Sequence, residues 1–190
     1  MKSLLGNALT AGFALLAVTC SLAVSSAAEN FLKVGDTAPE FSLMTADKEQ
    51  VELKTLLAKG PVVLVVLRGN PGYQCPACTA QVGQFLGKAK EFEAAGAQVV
   101  FVYPGPKNKL TVRAREFVGE QKLPGHAKLV LDPDYKFTKA WRLRWDAPQE
   151  TAYPATFVIQ SDGKLTFAQI SQTHGGRANV ADVLKSLTAK

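Results

Sequence analysis

Cys75-Pro76-Ala77-Cys78 is the one cluster in this chain whose residue types and spacing point directly to chemistry. Two thiols separated by two residues can pass electrons by closing and opening a disulfide. That bridge spans a loop too small to staple a fold, so a redox role accounts for the pair better than a structural one. The pair follows the apolar run Val62–Leu67 after a short loop and opens the apolar-periodic segment Pro76–Ala95, a strand-to-helix junction. Proline suits the first helical turn, where its missing N–H costs nothing. A thiol at that turn gains the positive end of the helix macrodipole and free N–H donors, which lower its pKa. Cys75 is therefore expected to be an exposed nucleophile, with Cys78, one turn further in, as the resolving thiol. A zinc site would need two more ligands, and the two histidines, His126 and His174, stand far from the pair in sequence, outside zinc-finger spacing. No metal or cofactor is expected.

Several residues stand ready to support such a pair. Arg68 ends the strand before it and either stabilises the Cys75 thiolate or is a solvated strand-end charge. Tyr73 and Gln74 either line the approach or simply build the loop. His174-Gly175-Gly176-Arg177 could hold an anion ahead of the last helix, although a Gly-Gly turn into that helix is the plainer account. Trp141, Arg142, Arg144 and Trp145 could form an aromatic and basic surface, but core packing is the preferred reading of the tryptophans.

The elements that must position the cysteines follow from hydrophobic periodicity. Phe41–Leu43 and Val51–Leu53 alternate about a polar turn and predict an N-terminal β-hairpin. Val62–Leu67, Ala97–Tyr103 and Lys128–Leu131 read as buried strands, the first a continuous apolar run. Helices are expected over Pro76–Ala95, Leu110–Glu120, Asp134–Trp141 and Asn179–Thr188, the last with Asn179 as N-cap. Thr156–Ile159 and Leu165–Ile170 flank Ser161-Asp162-Gly163-Lys164, a second hairpin. This order predicts an α/β fold, a mixed sheet with helices on both faces.

The 190 residues suffice for one domain with a proper core, and 47% hydrophobic with 20% charged residues excludes disordered and disulfide-scaffold classes. Lys2, the apolar run Ala8–Val24 and the small residues Ser26-Ala27-Ala28 form the three-part layout of a secretory signal peptide over residues 1–28, leaving 29–190 as a single domain. An uncleaved anchor and a lipoprotein attached at Cys20 are weaker readings, because the run is rich in small residues and Thr19 precedes the cysteine. Cleavage removes one lysine and no acid, so 22 basic and 16 acidic residues become 21 and 16. A net charge of +5 with no dense basic block gives no reason to expect a nucleic-acid partner. The expected product is periplasmic or secreted, with no stable membrane insertion, and it keeps only Cys75 and Cys78.

Residues 34–190 also resemble a known family. Val34-Gly-Asp-Thr-Ala-Pro39-Glu-Phe41, Pro61–Gly69, Cys75-Pro-Ala-Cys78, Leu131-Asp-Pro-Asp134, Tyr153-Pro154-Ala-Thr156 and His174-Gly-Gly-Arg177 occur in the order seen in the alkyl hydroperoxide reductase/thiol-specific antioxidant (AhpC/TSA) redoxins and their peroxiredoxin-like relatives. The resemblance implies a thioredoxin-like fold and thiol redox activity on disulfides or hydroperoxides, with an electron-donating thiol partner. It also matches Pro154, with Tyr153 before it, to the cis-proline that lies beside the cysteine pair in such proteins.

Two departures bear on the activity. The family carries proline seven residues, and Thr or Ser three residues, before the peroxide-reacting cysteine. Counted from Cys75 those positions are Arg68 and Gly72. The family's arginine shortly before the late strand is replaced by Ala152-Tyr153-Pro154. The expectation is therefore an exported thiol–disulfide oxidoreductase, with a thiol peroxidase as the alternative and a copper-binding redoxin using Cys75, Cys78 and His174 as a third reading.

Overall fold

A computed structural model describes residues 30–188. An interior strand of its sheet is β3 (Val62–Val66), buried on both faces as its unbroken branched apolar sequence requires. Parallel to β3 runs β4 (Gln98–Gly105), and parallel to β4 runs β5 (Ala127–Pro133). On the other side β6 (Ala155–Ile159) pairs antiparallel with β3, and β7 (Leu165–Ile170) with β6. The hairpin of β1 (Ser42–Thr45) and β2 (Gln50–Glu52) extends the sheet beyond β5. The sheet order is β2-β1-β5-β4-β3-β6-β7.

The period-2 alternation of β3 and β4 divides two cores. Val63, Val65 and Leu67, with Val99, Phe101 and Tyr103, face the side covered by α2 (Pro76–Leu86), α3 (Ala89–Ala94), α4 (Leu110–Val118) and α6 (Val180–Thr188). Val62, Leu64 and Val66, with Val100 and Val102, face α1 (Leu53–Leu57) and α5 (Lys136–Ala140). Both cysteines belong to the first core. This is the expected mixed sheet covered on both faces.

Three details differ from the sequence reading. The chain after β2 folds at once into α1, burying Leu53 and Leu56 at i,i+3 spacing, a helix absent from the sequence reading, which ended a strand at Leu53. The helix expected over Pro76–Ala95 is two helices, because the chain leaves α2 at Gly87 and Lys88, with the Lys88 amide donating to the Phe85 carbonyl at 3.1 Å. The break aims Phe92 back at the core, where its ring stacks on Phe85 at 5.5 Å. The tryptophans part company: Trp141 is fully buried against Phe137, whereas Trp145 stacks on Tyr153 near the surface.

Candidate active site

The loop between β3 and α2 is built to deliver Cys75 at a fixed point. Gly69 has φ +76° and passes so close to β4 that a Cβ there would lie 2.0 Å from the Pro104 carbonyl oxygen, so only glycine fits. The Asn70 amide donates to that same oxygen at 3.1 Å, and the Asn70 side chain accepts from the Gly72 amide at 2.8 Å. Gln74 is pinned twice: it accepts from the buried Tyr103 hydroxyl at 2.7 Å and donates to the Arg113 carbonyl at 2.9 Å. Burial pushes the Tyr103 phenol up to about 12, so it remains a donor at neutral pH.

Cys75 then caps α2 with extended backbone, and Pro76 takes the first helical position. The Cys75 carbonyl accepts from the Cys78 and Thr79 amides at 3.0 and 3.2 Å, closing the first turn. Cys75 and Cys78 are free thiols, 4% and 0% exposed. The expectation of an exposed Cys75 is thus corrected: the side chain turns inward to the core of β3, β4 and α2 rather than out from the helix end.

The two sulfurs divide one proton between them. The Cys78 thiol donates to Cys75, and this bond, outweighing the opposing effect of burial, lowers Cys75 to about 5 together with the Cys78 amide, the Arg177 charge and the Ala77 amide. The same bond and deeper burial push Cys78 up. At neutral pH the reduced pair holds a thiolate on Cys75 and a thiol on Cys78.

The cation facing that thiolate is Arg177, from the segment between β7 and α6. Its Nη2 lies 3.5 Å from Cys78 Sγ and 3.9 Å from Cys75 Sγ. Its Nη1 donates at 2.5 Å to Gln81 Oε1, and Gln81 Nε2 reaches Thr156 Oγ1 at 3.4 Å. The segment carrying Arg177 is tied down by Gln169, which donates to the Gly176 carbonyl at 2.9 Å, and by the Ser171 hydroxyl, which donates to Gly175. Gly176 has φ +64°, and a Cβ there would lie 2.9 Å from Ser171 Oγ. Sequence reasoning had set Arg177 aside in favour of a Gly-Gly turn. The turn exists, and its effect is to swing the arginine onto α2.

Neither reading of Arg68 holds: its charge is buried rather than solvated, and its partners are not the thiols. Its guanidinium is 2% exposed and points away from the thiols, donating to Glu150 Oε2 at 2.6 Å, the Tyr73 hydroxyl at 2.7 Å and the Gln149 carbonyl at 2.8 Å. Only its backbone amide touches the redox pair, on the Cys78 side. Burial tends to raise the Glu150 carboxyl, but hydrogen bonds from Arg68 and His174 hold it below the usual carboxylate range.

The match of Pro154 to a cis-proline is overturned. Among the described residues every peptide bond is trans, including Tyr153–Pro154. The chain here is already in extended pairing: the Tyr153 amide donates to Leu143 at 2.8 Å and the Pro154 carbonyl accepts from Ser171 at 2.8 Å, which continues the line of β6. Tyr153 packs its ring against Trp145 and Phe31. His174 is likewise taken up, with Nε2 2.8 Å from Glu150 Oε1 and its ring beside Trp145. The copper reading needs His174 beside the two sulfurs, and the fold does not bring it there. Among the described residues no three His, Cys, Asp or Glu side chains converge as a metal site.

Comparison with known proteins agrees with this architecture. The Redoxin family model matches residues 33–185. A putative peroxiredoxin of Mycobacterium tuberculosis is 30% identical over 143 residues, covering 73% of this chain and 85% of the relative. Peroxiredoxin Bcp of Escherichia coli is 29% identical over 142 residues, covering 72% and 84%. The crystal structure of peroxidoxin BcpB from M. tuberculosis superposes with a TM-score of 0.62 at 26% identity, covering 82% of this chain and 96% of that one. The chain belongs to the Redoxin family, as a peroxiredoxin-like member with the thioredoxin-like fold.

Proposed function

We propose that this protein is a thiol peroxidase in which the Cys75–Cys78 pair reduces hydroperoxides and is regenerated by a thiol. The observation that carries this reading is Arg177, whose guanidinium spans both sulfurs while Gln81 holds it in place. Disulfide exchange requires only a thiolate and a resolving thiol. A fixed guanidinium over the thiolate adds what peroxide cleavage requires, a cation to orient the O–O bond and to stabilise charge developing on the leaving oxygen. The spacing supports peroxide chemistry at this pair, although it sets Cys78 rather than Cys75 at the reacting position. Counted from Cys78, the family's proline seven residues ahead is Pro71, and its hydroxyl position three ahead is Cys75. The chain thus keeps the peroxiredoxin spacing with a thiol in place of the hydroxyl.

In this mechanism the Cys75 thiolate attacks one peroxide oxygen. The S–O bond forms, the O–O bond breaks, and the departing alkoxide or hydroxide takes a proton from solvent. Arg177 stabilises the charge as it moves from sulfur to the leaving oxygen. Cys78 then attacks the Cys75 sulfenic acid, an S–S bond forms, and water leaves with the thiol proton. Because both sulfurs share the first turn of α2, resolution requires no long-range movement.

The test is stopped-flow tryptophan fluorescence of the reduced protein with hydrogen peroxide, with Cys75→Ser as control. A Cys75-dependent second-order constant on the order of 10⁴ M⁻¹s⁻¹ or more, within the ordinary catalytic range, supports the reading. A response no faster than that of a free thiol sinks it. The second reading, a thiol–disulfide oxidoreductase, is favoured by the C-x-x-C spacing itself and would then lead.

Export is part of the same proposal. Residues 1–28 lie outside the described residues, and support for their removal rests on Lys2, the Ala8–Val24 run and Ser26-Ala27-Ala28. N-terminal sequencing of protein recovered from a periplasmic fraction is the check. A start at Glu29 agrees with export, and an intact Met1 opposes cleavage.

A further inference from the structure

Beside the dithiol, α2 and the segment 174–181 enclose a groove of about 710 Å³. That is within the size range of small-molecule sites. Its floor is of small residues, among them Ala77, Ala80, Gly87 and Ala178, and it runs from Arg177 at the sulfur end to Lys88. Its charged or titratable lining is Arg177, Lys88 and His174, with no carboxylate among the lining residues. His174 is engaged by Glu150, and Lys88 makes one exposed ion pair with Glu91 at 2.8 Å. Arg177 has no carboxylate partner among the described residues, and its Nε is buried without a hydrogen-bond partner.

The consequence follows from the redox cycle. In the reduced protein the charge on Arg177 faces an anion, the Cys75 thiolate. When the disulfide forms, that anion disappears, and a half-buried guanidinium is left with only the neutral Gln81 amide. Such a charge strongly favours an incoming anion. We propose that this groove recruits the electron donor, a small carboxylate-bearing thiol, and that it does so selectively in the disulfide state. The inference rests on reading Cys75–Cys78 as the redox pair and adds the class of its reductant.

The reduction balances as two exchanges. The donor thiolate attacks Cys75 Sγ, the sulfur that is not fully enclosed. A bond to the donor sulfur forms, the Cys75–Cys78 bond breaks, and its electron pair leaves on Cys78, which takes a proton from solvent. A second donor thiolate attacks the donor sulfur of the mixed disulfide. The donor disulfide departs, and Cys75 keeps the electron pair as thiolate. Two donor thiols are oxidised and one protein disulfide is reduced.

The test isolates this half of the cycle by oxidising the protein with diamide, so that it does not depend on peroxide chemistry. Reduction is then followed by tryptophan fluorescence with glutathione (anionic), 2-mercaptoethanol (neutral) and cysteamine (cationic) at equal thiolate concentration. Glutathione is expected to be fastest and cysteamine slowest. Lys88→Glu should lower the glutathione-to-mercaptoethanol ratio roughly fivefold, and salt should narrow it. S-methylglutathione, which cannot react, should bind the disulfide form more tightly than the dithiol form in calorimetry. Rates set by thiolate concentration alone, with a ratio unmoved by Lys88→Glu, overturn the proposal and leave a protein thiol as the donor. Failure of the peroxidase reading would appear separately, as inertness toward hydrogen peroxide.

Discussion

Gln81 holds Arg177 at the dithiol: its amide oxygen accepts from Nη1 at 2.5 Å, while Nη2 of the same guanidinium reaches both sulfurs. Gln81 lies one turn beyond Cys78 on α2 and is itself buried. Helix and arginine are thereby locked into one unit. Arg177→Met should raise the Cys75 pKa by roughly one unit, the scale of a lost neighbouring charge, and slow the peroxide reaction by about tenfold to a thousandfold, as loss of an oxyanion-type donor does. Gln81→Leu should give a smaller loss of the same kind, because the guanidinium remains but is no longer aimed. Thiolate absorbance near 240 nm during pH titration measures the first effect, and stopped-flow rates the second. Unchanged rates in Arg177→Met would remove the arginine from the mechanism.

The lowered Cys75 pKa fixes a pH dependence. Reactivity toward peroxide should be nearly flat from pH 6 upward and fall as pH drops through about 5, where Cys75 gains its proton. Stability follows with a definite sign. A thiol depressed in the folded state, against about 8.5 unfolded, binds fewer protons folded than unfolded between those values. The reduced protein should therefore gain stability relative to Cys75→Ser as pH rises from 5 toward 8.5. That gain should be full above the unfolded value and lost as pH falls through the folded one. Urea midpoints of both proteins at pH 5 and pH 8 provide the comparison, and equal differences at the two pH values would contradict a depressed thiol.

Much of this arrangement could be read from the sequence, and the parts that could not share a cause. The run Val62–Leu67, the Ser161–Lys164 turn and Asn179 as cap of the last helix are local patterns. The structure bears them out, the Asn179 side chain accepting from the Ala181 amide at 2.9 Å. What escaped was decided by distant partners. Arg177 reaches Cys75 across 102 positions, and no spacing rule connects them. Arg68 follows a buried strand, and its direction depends on Glu150, 82 positions away. The split between α2 and α3 is the exception: Gly87, a poor helix former, is a local signal that hydrophobic periodicity passes over, and the break there lets Phe92 stack on Phe85.

Two thiols in one helical turn raise the question of which one takes the oxygen. The electrostatics of the reduced pair favour Cys75, the thiolate, over Cys78, the proton-bearing partner. Counting from Pro71 would instead place Cys78 at the reacting position. With single-cysteine variants and dimedone trapping after one equivalent of peroxide, Cys78→Ser should accumulate a sulfenic acid on Cys75, and Cys75→Ser should react far more slowly. Efficient trapping on Cys78 in Cys75→Ser would reverse the roles and make Cys75 the resolving thiol.

The Arg68–Glu150 pair predicts a variant that separates fold from chemistry. Both side chains are largely shut away from water, and Glu150 also receives His174. Removing the arginine leaves a carboxylate in a poorly solvated setting, with the Tyr73 hydroxyl and the Gln149 carbonyl also deprived of their donor. Loss of one partner from a buried pair costs about 3–5 kcal/mol, so Arg68→Met should lower the urea midpoint markedly. The double variant Arg68→Met/Glu150→Gln should recover part of that loss, because no charge is then stranded. The Cys75 titration should barely move in either variant, since the Arg68 guanidinium points away from both sulfurs and only its backbone amide approaches Cys78. A thiol pKa that rises in Arg68→Met by as much as in Arg177→Met would return Arg68 to the role of thiolate partner. A stability loss with an unmoved thiol identifies it as a structural anchor for the loop 145–151.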